Sequence, residues 1–190
     1  MRVSIFISFT FVIGCQSAVD TQSPTSSPVP TSPLTGPSGL VVVKEITPTY
    51  STDLSDQRRL AGLADAIFVG TVKEKQGVTL RRVNIAYTRF IVNVALSLKG
   101  DASGAVAVEQ QGGFDTKSNT RYIVKGDRPL ETNDTYIFAA MYREKENTYN
   151  VINVYGDIPL TDTEAGAINS GNPPAAIVRM RDSVANQIPS

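Results

Sequence analysis

The residues best placed to do something are in Gln110-Gln111-Gly112-Gly113-Phe114-Asp115. Paired glycines let a backbone bend sharply or approach a partner closely, and an aromatic ring just after them is positioned to stand out as an anchor. This predicts a binding site at Gly112, Gly113, Phe114 and Asp115; the bland alternative is a strand-ending turn with Phe114 folded back onto the core. Tyr87, Tyr122, Tyr142 and Tyr149 suggest a groove for sugars or bases. Tyrosine is also an ordinary strand residue. Positive charge concentrates only at Arg81-Arg82 and at Arg121 with Lys125, which read as solvated loop faces. Acid–base chemistry would need a carboxylate pair such as Glu109 with Asp115 or Asp157 with Asp162, and dispersed acids declare no pairing.

Composition removes much else. The chain has no histidine, which takes away the commonest general base, the commonest zinc ligand and every Ser-His or Cys-His nucleophile pair. No P-loop, GxSxG, EF-hand or metal-ligand spacing is present. The expectation is therefore no catalytic residue, no metal, no cofactor and no enzyme. Lys plus Arg number 18 and Asp plus Glu 18. Binding to nucleic acid draws on counterions released by a surplus of Lys and Arg. None exists here, so nucleic acid is not an expected partner. Cys15 is the single cysteine, so no intramolecular disulfide can form.

The N-terminal residues read as an address. Met1-Arg2 precedes an apolar run, Val3 to Ile13, that is too short to span a bilayer but suits a secretory signal. The run ends in Val12-Ile13-Gly14-Cys15, which resembles the bacterial lipobox. The resemblance implies a signal peptide over 1–14, a diacylglyceryl group on Cys15, and a protein held by lipid on the extracytoplasmic face of a cell or outer membrane. Gln16 in place of aspartate implies sorting to the outer membrane where there are two. Two long acyl chains anchor a protein far better than one. Residues 15–38 follow as a tether rich in Ser, Thr and Pro, too poor in large apolar groups to offset its ordering entropy. Pro24, Pro28, Pro30, Pro33 and Pro37 bias it toward extended polyproline.

Residues 39–190 have the length of one ordinary domain, and elements within it must position the residues above. Phe90, Val92, Val94, Leu96 and Leu98 take alternate positions, the signature of a half-buried strand, while Ile85, Tyr87 and Ile91 take the other parity. A bulge or bend near Arg89 would reconcile them. Further strands are predicted over 66–75 with a turn near Gln76-Gly77, and over 105–111, 120–124, 135–142 and 148–155. Residues 143–147 make a hairpin turn and 100–104 another. A first helix is predicted from a Thr52 cap, with Leu54, Leu60, Leu63 and Ala64 facing inward. A second starts at an Asn172 cap with Pro173 in the first turn and carries Ile177, Met180 and Val184 as its stripe.

The expected fold class is mainly β: an OB-like Greek-key barrel of five to six strands, one flanking helix near the start and one at the C-terminus. "LADAIFVGTV", "LSLKGD", "AVAVEQQGG" and "DTYIFAAMY" resemble the netrin-like, metalloproteinase-inhibitor type of OB barrel over about Leu63 to Tyr142. In those inhibitors an N-terminal cysteine meets the catalytic zinc. Here the corresponding cysteine would be lipidated and stands 25 residues before Leu40, and the inhibitors' disulfides are absent. The resemblance therefore implies fold and not inhibition. The expected function is a non-catalytic envelope binding domain with a protein partner. A cell-wall glycan is the alternative partner, and a carboxylate-dependent hydrolase the alternative activity.

Overall fold

Alternating apolar residues turn one face of a strand inward, and this chain buries both faces of its two central strands. The computed structural model of the protein describes residues 39–81 and 85–189. The predicted signal peptide, Cys15, the tether over 15–38 and Arg82 lie outside the described residues.

Among the described residues there are nine strands: β1 (Val42–Ile46), β2 (Ala66–Arg81), β3 (Ile85–Lys99), β4 (Ala105–Gln111), β5 (Gly113–Asp115), β6 (Thr120–Val124), β7 (Thr135–Arg143), β8 (Thr148–Val151) and β9 (Asp157–Leu160). Helices α1 (Gln57–Leu63), α2 (Asp162–Gly166) and α3 (Ala175–Ala185) accompany them. The protein is mainly β with a helix early in the domain and another near its C-terminus.

Strand pairing runs in a ring. β2 pairs with β3, β3 with β4, β4 with β8, β8 with β7, and β7 with β2 again. Every pair in the ring is antiparallel except β4 with β8. β9 adds to β7, and a separate small sheet has the order β1-β6-β5.

Two cores follow from period-two alternation on β2 and β7. Phe68, Val72, Tyr136 and Phe138 face one core with Phe90, Val92, Val108 and Val151. There the rings of Phe68 and Phe138 lie 5.3 Å apart, within the range of favourable aromatic pairing. Ile67, Val69, Ile137 and Ala139 face the other core, against Leu60 and Ala61 of α1 and Ile177 and Met180 of α3. Each such side chain taken from water contributes about 1.5–3 kcal/mol. Burial on both faces explains the unbroken apolar run Ala66-Ile67-Phe68-Val69.

Several expectations are corrected. β2 does not turn at Gln76-Gly77 but continues to Arg81. Gly77, at φ +129°, lies at a register shift where Gln76 has no partner, opposite Arg89. The irregularity expected near Arg89 is thus on the neighbouring strand. β3 keeps one phase over this stretch, with Ala86, Thr88, Phe90 and Val92 buried. Helix α1 is capped by Asp56, which accepts the Arg58 N–H at 3.0 Å, so Thr52 is not its cap. Helix α3 starts at Ala175 after Pro174, not at an Asn172 cap. The strand expected over 148–155 ends at Val151, and residues 144–146 form a single 3-10 turn. Strands β1, β5 and β9 and helix α2 escaped the sequence reading. β1 carries no alternation, and Val42 and Val43 are exposed; its backbone pairing with β6 is what makes it a strand.

Candidate functional site

β4 ends where the chain must leave the ring. Gly112 and Gly113 have φ of +107° and +124°, a region that side chains rarely enter. A Cβ on Gly113 would strike the Thr88 hydroxyl and come within 2.7 Å of Val78 Cγ2. Glycine is required here by both conformation and space. The turn sends β5 back along β6, pairing Phe114 with Arg121.

A cleft of about 380 Å³ opens between this turn, β6 and the loop at 127–129. Phe90, Phe114, Tyr122 and Val124 give it apolar walls, and Lys75, Arg121 and Arg128 give it three cations. Phe114 is half-buried, with the Arg121 guanidinium 5.7 Å from its ring centroid. It is a wall of the cleft, neither a free anchor nor core filling. Gly112 and Gly113 line the same cleft. Asp115 does not; it accepts the Lys117 N–H at 3.1 Å and the Ser118 hydroxyl, closing the turn between β5 and β6. The Ser118 hydrogen bond is the main cause that holds its carboxyl below the ordinary carboxylate range.

Gln110, buried in the β4 end, organises the back of the cleft. Its Nε2 donates to the Arg128 carbonyl at 2.6 Å and lies 3.2 Å from Asp157 Oδ2 and 3.4 Å from Asp127 Oδ1. Its Oε1 accepts the Leu130 N–H at 2.9 Å. A primary amide has two hydrogens and here faces three oxygens. Asp127 Oδ1 also accepts the Arg128 N–H at 2.9 Å, and the backbone N–H of Val154 points to the same carboxylate. Burial, and after it the charge on Asp127, pushes the Asp157 carboxyl up to about 7; burial raises Asp127 too. Next to this pair Val154 has φ +72°, strained for a β-branched residue.

Neither carboxylate pair considered from sequence is formed. Glu109 neighbours Gln110, so it points to the opposite face of β4, where it ion-pairs with Arg81. Asp162 sits in the first turn of α2. The acids that do approach one group, Asp127 and Asp157 at the Gln110 amide, are thirty positions apart, and no local signal links them.

The four tyrosines do not share one groove. Tyr122 belongs to the cleft just described, while Tyr87 and Tyr142 line a second, of about 400 Å³, with Tyr50, Gln111, Asn150 and Asn153. Tyr149 stands behind, its ring 4.9 Å from that of Tyr142 and 5.2 Å from that of Phe68. Arg81 lies over Tyr87 at 5.1 Å. Of the two basic residues considered together, Arg121 is in the first cleft and Lys125 is exposed outside it. Sequence reasoning missed Tyr50, Asp127 and Arg128, which lie in loops without periodicity. Among the described residues no three His, Cys, Asp or Glu side chains gather as metal ligands, and no helix is long and apolar enough to cross a membrane. No protein-family model matches the chain, and no curated protein matches it.

Proposed function

We propose that the protein is a non-catalytic binding domain, tethered by lipid on Cys15 to the extracytoplasmic face of the cell envelope, whose cleft takes an acidic, partly apolar segment of a partner protein. The ring of strands, with its one parallel pair between β4 and β8, fits an OB-like Greek-key barrel as the scaffold. One observation carries the binding reading: the cleft joins apolar walls to three cations, at the Gly-Gly-Phe turn. Such a surface buries an aromatic or aliphatic anchor while Lys75, Arg121 and Arg128 attract carboxylates. Peptide display against the full chain in lipid nanodiscs tests it. Enriched sequences should combine an acid with an apolar anchor and should lose binding to Phe114→Ala and to Arg121→Glu. Enrichment that both variants retain would discard the cleft. For the anchor, mass spectrometry of protein isolated from a bacterial envelope should find diacylglyceryl on Cys15 and none after Cys15→Ser.

A second reading, a cell-wall glycan, has its own support. Tyr87 and Tyr142 share a cleft with the amides of Gln111, Asn150 and Asn153 and with Arg143, a set suited to stacking on sugar rings and bonding their hydroxyls. Retention on peptidoglycan that Tyr142→Ala abolishes and Phe114→Ala leaves intact would favour it over the protein partner.

A further inference from the structure

We infer that the face of β3, β4 and β8 carrying Glu109 holds an anionic sugar, its acid group taken by Arg81, Arg143 and Lys145 and its ring by Tyr87 and Tyr142. The anion site goes beyond both readings above. The sugar half rests on the cleft of Tyr87 and Tyr142 being the glycan site, and names the class of glycan.

Strand register gathers the cations. Residues directly opposite one another in a ladder share a face, as do alternate residues along one strand. Arg89 is opposite Glu109, Glu109 opposite Asn150, and Arg143 opposite Thr148. Arg81 joins them from the end of β2 through its ion pair with Glu109. Asn150 ties Arg143 to the same carboxylate, accepting its Nε at 2.7 Å while the amide nitrogen lies 3.3 Å from Glu109 Oε2. Three guanidiniums thus share a face with one buried carboxylate, and pairing leaves donors over. Among the described residues the buried Arg81 Nη1, Arg89 Nε and Thr148 Oγ1 have no hydrogen-bond partner. Buried donors are costly to leave unsatisfied, and an oxyanion offers the several acceptors that guanidiniums bind best.

The opening beside this network is cationic. A cleft of about 650 Å³ is lined by Arg81, Ile85, Tyr87, Arg143, Lys145 and Glu146, three positive charges against one negative. Arg81 is fixed in it between Glu109 and the Tyr87 ring, 5.1 Å from the ring centroid. Arg143 and Lys145 are exposed, and among the described residues neither makes an ion pair, so both can meet an incoming acid without giving up a charged partner. Tyr87 and Arg143 also line the tyrosine cleft, so a ring and a guanidinium are common to both. That is the arrangement an acidic sugar needs. A uronate carries its carboxylate on the ring and a sugar phosphate carries its group one ester bond away, so stacking and charge must be met by adjacent residues, as they are at Tyr87, Tyr142 and Arg143.

The test uses the full chain in nanodiscs of zwitterionic lipid, with empty nanodiscs as blank and three probes followed by saturation-transfer NMR: glucose, glucuronate and glucose 6-phosphate. At least one acid should bind about tenfold more tightly than glucose, the scale of a charge-assisted hydrogen bond. That advantage should disappear in about 1 M salt. Arg143→Gln should bring the acid down to the affinity of glucose and leave glucose unchanged, and Lys145→Gln should do so in part. Tyr142→Ala should weaken all three probes. Arg81 stays in place because Glu109 relies on it, so the variants read the site and not the fold. Tighter glucuronate assigns the site to a uronate-bearing glycan, and tighter glucose 6-phosphate to a phosphate-bearing one. Equal affinities for all three, or an advantage that survives Arg143→Gln, would overturn the anion site and leave the glycan reading standing. Acids that bind Tyr142→Ala as tightly as wild type would overturn the sugar as the occupant. Binding of none of the probes would overturn the anion site and the glycan reading together.

Discussion

Glu109 and Gln110 are neighbours on β4, each almost wholly buried at 3% and 4% exposure, and they point into two different polar networks. On one face Glu109 meets Arg81. Asn150, with its amide nitrogen toward Glu109, lies 3.3 Å from Oε2, and its oxygen accepts Arg143 Nε at 2.7 Å. Glu109 there has an opposite charge and a dipole aimed at it, while Arg81 Nη1 and Arg89 Nε are buried without a partner among the described residues. On the other face Gln110 meets two acids and no cation among its hydrogen-bond partners. Desolvation acts on both faces. On the Gln110 face, with no cation among the hydrogen-bond partners, it pushes the Asp157 carboxyl up to about 7. The two networks differ in the sign of the partner, a guanidinium for Glu109 and carboxylates for Gln110.

The largest expected effect breaks the compensated face. Glu109→Leu leaves Arg81 partly buried without its partner and should destabilise the protein by about 3 kcal/mol in urea unfolding. Adding Arg81→Met should recover most of the loss, because removing both charges spares the desolvation of each. A single variant as stable as wild type would deny that the pair matters. Next comes Gly113→Ala, which forces a side chain into a positive φ and against Thr88 and Val78. A loss of about 2 kcal/mol or more, measured the same way, is expected.

The third prediction sharpens the uncompensated face. Asp157 holds its proton more tightly in the folded protein than in the unfolded chain, its value lying near 7 instead of 3.8. Its contribution to stability is therefore whole below about pH 4, falls as pH rises toward 7, and is constant above. Asp157→Asn should match wild type at pH 4 and melt several degrees higher at pH 8. Equal melting temperatures at pH 8 would remove the desolvation argument. The smallest effect belongs to Val154, beside the same acids. Val154→Asn should stabilise by up to about 1 kcal/mol, since asparagine tolerates the left-handed region that valine resists. A loss of stability would show that the valine's packing outweighs its strain.

Much of the fold was legible because it is written in local periodicity. The alternation from Phe90 onward marked β3, the run from Ala66 marked β2, and Ile177, Met180 and Val184 marked the buried stripe of α3. Boundaries were less legible. Asp53, Asp56 and Thr52 are all good caps, and only packing selects Asp56, by burying Leu54 in the loop before the helix. Gln76-Gly77 is good turn chemistry, yet the ladder with β3 runs through it because a bulge leaves Gln76 unpaired and keeps Gly77 opposite Arg89. Of the proposed site, Gly112, Gly113 and Phe114 could be read as a turn near a surface, but the cations that complete the cleft come from β2, β6 and a loop.

Within the described domain, then, sequence alone determined what depends on neighbours a few residues away: strand phase, helix stripe, the glycine turn and the absence of histidine chemistry. Tertiary structure decided everything that depends on two distant groups losing water together. It set Glu109 against Arg81 and Asp127 beside Asp157, and it made an amide, Gln110, the hub of the second pair. The physical reason is range. Backbone conformation is governed by nearest neighbours, whereas burial and electrostatics act through space, and a carboxylate's chemistry is defined only once its surroundings have closed around it.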